Sequence, residues 1–355
     1  MFKALIASLI ILFFCLCKVS LPNIEESSSI TKDSLAIREI GHLLFFDKNL
    51  SYDKSISCST CHDPTLAFTD GYKLSVNSKA ENLQRNSPTL LNINNRENFN
   101  WANPSIQTLI QQMQRPLYGT HPVELGIKGN EPDIFPRIKA NMEYKRLYQL
   151  AFGKNIQNLK LQDIEVSLEH YIKTLQSRNS PFDKFLITKD SNYLNEEQWY
   201  GFYLFHSDSI DCSACHGGVD SFSPDRGGNF ANIGLYNCNG KYPTKDSGIE
   251  NESHDQDDNG LFRIPTLRNV AITGPYYHDG SEENLESIIK NYERSGRMID
   301  YGDCKGDGAN NPNIDGRLQK FNLQENERRA LISFLHSLTD TSYLSNKMFR
   351  DPFSK

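Results

Sequence analysis

The chain has 355 residues, with 38 Lys+Arg against 44 Asp+Glu and a formal net charge of −6. The length predicts about two domains of ~150 residues each, and the acidic balance excludes nucleic acid as the main partner, because phosphate binding needs a basic face. Hydrophobic residues at 38% exclude a multi-span membrane protein, and aromatics at 11% exclude a disordered chain.

In chain order, Lys3 precedes an apolar run from Ala4 to Cys17. The run is shorter than the ~20 residues of a membrane span and reads as an export signal over 1–17. Cys15 and Cys17 close it, and either is a candidate lipoprotein anchor. A polar, Ser-rich tether follows over 18–32. The expected location is periplasmic or exported, with membrane anchoring as a variant. Beyond the signal, domains are expected over 33–185 and 186–345, with a tail over 346–355. Six of the eight cysteines remain in an oxidising compartment.

Four of the six lie in Cys58-Ser-Thr-Cys61-His62 and Cys212-Ser-Ala-Cys215-His216. C-x-x-C-H is the attachment sequence of c-type haem, with two thiols for the vinyl groups and an adjacent imidazole for the iron. A zinc site would not need a His after each pair, and a redox dithiol would sit in a βαβ pattern that is missing here. The chain repeats itself around both motifs. An apolar segment precedes each, at Ile40–Phe46 and Trp199–Phe205, and Pro-Thr-Leu-x-Asn follows each, at Pro88–Asn92 and Pro265–Asn269. Leu168–Leu175 and Leu331–Leu338 then carry matching apolar positions at helical spacing. The fold class is therefore mainly α, two tandem class I cytochrome c-like domains with one covalent haem c each, joined by a linker from Ser180 to Asn192. Cys238 and Cys304 are left over and pair as a candidate disulfide. Asp255–Gly260 mimics half an EF-hand loop, but Thr266 stands at the twelfth position, so that reading is rejected.

The residues also resemble a family. Gly41–Asp47, Ile56–Asp63, Phe68–Gly71, Arg85–Thr89, Pro265–Ala271 and Pro275–Gly280 are similar to the bacterial di-haem cytochrome c peroxidase/MauG superfamily. Trp101–Pro104, Pro122–Gly126, Asn232–Asn237 and Leu338–Asp340 resemble its MbnH branch of MauG-like enzymes. The resemblance implies an exported oxidoreductase that uses hydrogen peroxide to form a high-valent di-haem state. That state would oxidise a residue, Trp in the MbnH branch, of a small exported partner protein. Two alternatives stand beside it. One is a conventional peroxidase that reduces peroxide to water with electrons from a small c-type or copper donor; the other is a non-catalytic di-haem electron carrier.

Iron ligation separates these readings, since an open iron face activates oxidant whereas two strong ligands suit electron transfer. No His lies between His62 and His121, so the first haem is expected to keep only His62, with His121 and Met113 as rival ligands. Tyr292 falls 23 residues past Asn269, while Pro116 falls 24 past Asn92. A residue able to ligate thus stands opposite one that is not. The second haem is assigned His216 and Tyr292, with Met298 as the rival; the family places Tyr there in MauG-like proteins and Met in the peroxidases. By resemblance Glu124 is the distal acid–base group, Gln112 a distal amide, and Trp101 the indole between the haems. The plain alternatives are a surface carboxylate, an exposed helix residue and core packing; Trp199 is read as packing or rim. The family also implies Ca²⁺ held by the Asn86 side chain and the carbonyls of Thr273 and Pro275.

Overall fold

The computed structural model describes residues 32–217 and 229–354. The export signal, the lipid-anchor candidates and nearly all of the tether lie outside the described residues. Among the described residues the helices are α1 (Lys32–Phe46), α2 (Cys58–Cys61), α3 (Leu109–Tyr118), α4 (Glu131–Ala140), α5 (Met142–Phe152), α6 (Leu161–Ile172), α7 (Pro181–Thr188), α8 (Glu196–Phe205), α9 (Ser213–His216), α10 (Glu250–Ser253), α11 (Leu285–Glu293) and α12 (Glu325–His336). Two short antiparallel pairs complete it: β1 (Phe230–Ala231) with β2 (Phe262–Arg263), and β3 (Met298–Ile299) with β4 (Gly306–Asp307).

The fold is mainly helical and built twice on one plan. In the first half α1 crosses α6, and in the second α8 crosses α12. Each crossing turns on a glycine. A Cβ on Gly41 would lie 1.9 Å from the Ser167 carbonyl oxygen, and one on Gly201 would lie 2.0 Å from that of Ala330. Backbones can approach this closely only where a side chain is missing. Phe45, Leu168 and Tyr171 fill the first core; Phe205, Leu331 and Phe334 fill the second.

The two Pro-Thr-Leu-x-Asn asparagines are also equivalent. Asn92 and Asn269 both adopt the left-handed conformation, at φ 58° and 60°. Asn92 donates its N–H to the Leu175 carbonyl at 2.8 Å, and its side-chain oxygen accepts from the Ser177 N–H at 3.0 Å. Asn269 donates to the Leu338 carbonyl at 3.1 Å and accepts from the Asp340 N–H at 2.8 Å. Asn269 also reaches Ser177 Oγ at 2.8 Å, so the closing turns of both halves are stitched together.

Two expectations are corrected. The stretch from Ser180 to Asn192 is not a simple linker: Pro181 opens α7, and Ser180 and Asp183 form its capping box. Phe182 and Phe185 pack in the second core, so a boundary after residue 185 cuts through a helix that belongs to the second half. Asp183 on α7 makes a buried 2.6 Å ion pair with Arg268. The expected tail over 346–355 packs onto the first core through Phe349, and Tyr343, expected in the second domain, is buried there too. Among the described residues, no helix is long and apolar enough to cross a membrane.

Candidate functional site

The first motif forms a single helical turn, α2, which puts Cys58 and Cys61 on one face. His62 ends that turn. Its Nδ1 lies 3.0 Å from the Phe68 carbonyl and 3.2 Å from Ser87 Oγ, which leaves Nε2 as the nitrogen available to a metal. Burial pushes both Cys58 and Cys61 thiols up to about 12. A redox dithiol needs the opposite shift. Half-buried neutral thiols beside an imidazole fit covalent haem attachment.

Glu124 belongs to the turn after α3, where the Leu125 N–H returns to the Pro116 carbonyl at 2.9 Å. Its charge is felt by both Cys58 and Cys61, which places it beside the attachment residues. Burial lifts its carboxyl to about 7, so both protonation states are accessible near neutrality. Gln112 lies on α3 with its Oε1 accepting from Asn100 Nδ2 at 2.9 Å. Of the rival first-haem ligands, His121 is exposed and Met113 is buried in the first core.

The second motif opens on a cleft of about 1440 Å³, mouth included. Cys212, Cys215, His216, Tyr292, His278 and Trp101 are among its lining residues. His216 Nδ1 lies 3.2 Å from the Pro265 carbonyl. Tyr292 is carried by α11, whose Asn284 cap accepts from the Ser287 N–H. Burial drives the Tyr292 phenol far above its ordinary range, with the neighbouring Tyr277, Cys215 and Cys212 adding to the shift. A half-buried phenol on one cleft with the two motif thiols suits an iron ligand, because a cation there would supply the missing charge compensation. Met298 sits on β3, 48% exposed, and does not line the cleft.

Trp101 joins the two halves. Its Nε1 donates to the Asn86 carbonyl at 2.9 Å, its own carbonyl accepts from the Arg263 N–H at 2.7 Å, and its ring lines the second cleft. The Arg263 guanidinium stacks 5.0 Å from the indole centroid. Arg263 is 5% exposed, yet among the described residues its Nε and Nη2 have no hydrogen-bond partner, and neither does Arg96 Nη2. The two guanidiniums are close enough to repel. A guanidinium on the cleft wall with a second one behind it fits an anionic cofactor edge such as haem propionates.

Asn86 is buried. Its amide nitrogen donates to the Tyr72 carbonyl at 2.8 Å, and its N–H donates to the His278 carbonyl at 2.7 Å. Its Oδ1 and the carbonyls of Thr273 and Pro275 take no hydrogen bond from the described residues. The structure joins Cys238 to Cys304. Trp199 is buried against Phe185 and Phe202 and donates Nε1 to the Ser191 carbonyl.

Sequence reasoning gave no role to Arg96, Arg263 or Tyr277, and His278 entered only as part of a quoted motif. An isolated Arg carries no local signal of its surroundings. Only the tertiary fold reveals that Arg263 is buried without an acidic partner among the described residues.

The fold and the donor sets define a class: a mainly helical protein equipped for two haems in unlike surroundings. The family model for di-haem cytochrome c peroxidase matches residues 36–191. MauG, the methylamine utilization protein of Methylorubrum extorquens, is 29% identical over 324 residues, covering 90% of this chain and 81% of that one. Cytochrome c551 peroxidase of Pseudomonas aeruginosa is 30% identical over 256 residues, covering 71% of this chain and 70% of that one. The crystal structure of a MauG-like protein associated with microbial copper homeostasis matches with a TM-score of 0.85 at 34% identity, covering 90% of this chain and 93% of that one. The chain belongs to the di-haem cytochrome c peroxidase family that includes MauG. It is a haem peroxidase-type oxidoreductase.

Proposed function

We propose that this enzyme is MauG-like: it uses hydrogen peroxide to oxidise a residue, Trp, of a small exported partner protein. The observation that carries the reading is Tyr292, a half-buried phenol on the cleft that Cys212, Cys215 and His216 also line. A hard oxygen donor favours oxidised iron, whereas the thioether of an electron-transferring peroxidase haem favours the reduced state. The 34% identical MauG-like structure supports the same branch, and its association with copper homeostasis suggests a partner that handles copper.

In this reading two haem c groups are attached in tandem cytochrome c-like domains through Cys58 and Cys61, and through Cys212 and Cys215. They supply the redox chemistry. His62 would hold the first iron, and His216 with Tyr292 would hold the second. Glu124 accepts a proton from bound peroxide and returns it to the departing oxygen, a task suited to a carboxyl poised at about 7. Gln112 orients the oxidant through its amide. Trp101 couples the two sites, and Arg263 with Arg96 receives propionate charge. Asn86 Oδ1 and the carbonyls of Thr273 and Pro275 hold Ca²⁺, with waters completing an oxygen shell. Residues 1–17 direct export, with lipidation at Cys15 or Cys17 as the anchored form.

The deciding experiment mixes the oxidised protein with peroxide and no electron donor, then supplies a reduced small c-type cytochrome. Rapid reaction without pre-reduction, followed by slow oxidation of the cytochrome, is the result this reading expects. A need for pre-reduction with fast cytochrome turnover would favour the conventional peroxidase, and no reaction with peroxide the electron carrier.

A further inference from the structure

We propose that the end of the chain, residues 342–350, is a strap whose Tyr343 and Phe349 are positioning residues for His62. The proposal rests on the reading of His62 as the first haem's axial ligand. The nearest carbonyl to His62 Nδ1, at 3.0 Å, belongs to Phe68, beside Ser87 Oγ at 3.2 Å and the Pro88 carbonyl, and Ala67 and Phe68 are consecutive non-glycine residues with φ of 53° and 59°. L-residues disfavour that region, so the loop needs support from outside itself.

The strap supplies it. The Ala67 N–H donates to Tyr343 Oη at 3.1 Å. The fully buried Phe68 ring lies against Tyr343, with centroids 6.3 Å apart, and edge-on to Phe349 at 5.9 Å. The strap is itself tied down: Tyr171 Oη donates to the Met348 carbonyl at 2.9 Å, and His42 Nε2 lies 2.8 Å from the Arg350 carbonyl. Tyr343, 276 positions downstream of Ala67, thus works with Thr89, whose Oγ1 donates to the Ala67 carbonyl, to fix the nearest acceptor of the His62 imidazole.

A well-placed carbonyl on Nδ1 gives the imidazole more anionic character, which strengthens it as a ligand and favours higher oxidation states of the metal. The strap therefore tunes the peroxide site specifically. In the second half, among the described residues, His216 Nδ1 meets only the Pro265 carbonyl, at 3.2 Å.

The test uses the full-length protein with both haems attached. Tyr343→Phe removes one hydroxyl and keeps the ring, Phe349→Ala opens the clamp, and Phe349→Leu restores bulk. The readouts are the iron–imidazole stretch of the reduced first haem by resonance Raman, and both midpoint potentials by spectroelectrochemistry. Tyr343→Phe and Phe349→Ala should lower that stretch and raise the first potential while the second stays put, and Phe349→Leu should recover most of the shift. If Phe349→Ala fails to fold, Tyr343→Phe still decides. An unmoved stretch and potential in the variants that fold overturns the strap alone. Absence of an iron–imidazole stretch at the first haem of the unmodified protein overturns the reading of His62 as that iron's sole protein ligand, on which the strap rests.

Discussion

The first half presents Glu124 beside Cys58 and Cys61, while the second presents Tyr292 on the cleft of Cys212 and Cys215. Around these differences the frame is shared. Gly41 and Gly201 permit the same helix crossing, and Asn92 and Asn269 hold the same left-handed turn. A duplicated scaffold can thus present two C-x-x-C-H turns and leave their differences to residues projected from less constrained segments. In the proposed reading, one site serves proton transfer and the other holds oxidised iron, so the two divide a reaction that neither would complete alone.

The sharpest way to break that division is Glu124→Gln. Loss of the proton relay should slow the reaction with peroxide by about 10²–10⁴-fold in stopped flow. The wild-type rate should rise with pH through about 7, as the lifted carboxyl ionises and becomes the base, and the variant should lose that inflection. Next comes Trp101→Phe. The first site should still react with peroxide, while partner oxidation falls about 100-fold, or ~2.7 kcal/mol in the barrier. Partner oxidation at the wild-type rate would make Trp101 simply a packed indole.

Replacing Tyr292 by Met should bring the second site closer to an ordinary electron-transfer haem. Its midpoint potential should rise on the order of 100 mV, since axial ligands move haem potentials over a wide range. An unchanged potential would remove Tyr292 from the ligand set. The smallest effect tests the shared frame. Gly41→Ala and Gly201→Ala should each lower stability by about 1–3 kcal/mol in thermal or denaturant unfolding, because the new methyl group meets a backbone oxygen. A neutral change at either position would mean that the two crossings are not equivalent.

What could be read in the sequence was what is local or repeated. Each C-x-x-C-H is a one-turn device, and the helices around it carry their own periodicity, so both appear without tertiary knowledge. Tyr292 was reached through resemblance, and the repeat, which sets it near the counterpart of Pro116, supported it. Glu124, Gln112 and Trp101 were reached only through resemblance, since a single carboxylate, amide or indole has no periodic signature. Ser180-Pro181 was misread because proline suggests a break, although at the first turn of a helix its missing N–H costs nothing. The strap and the buried Arg263 were invisible for another reason: their meaning comes from contacts with distant residues, and no local pattern encodes those.

The central claim is that the two irons differ in coordination, and the electron paramagnetic resonance spectrum of the resting, fully oxidised protein tests it most directly. An open site with His62 alone and a closed site with His216 and Tyr292 predict one high-spin and one low-spin ferric signal in equal amounts. Two low-spin signals from an intact sample would contradict the account and return His121 or Met113 to the first iron.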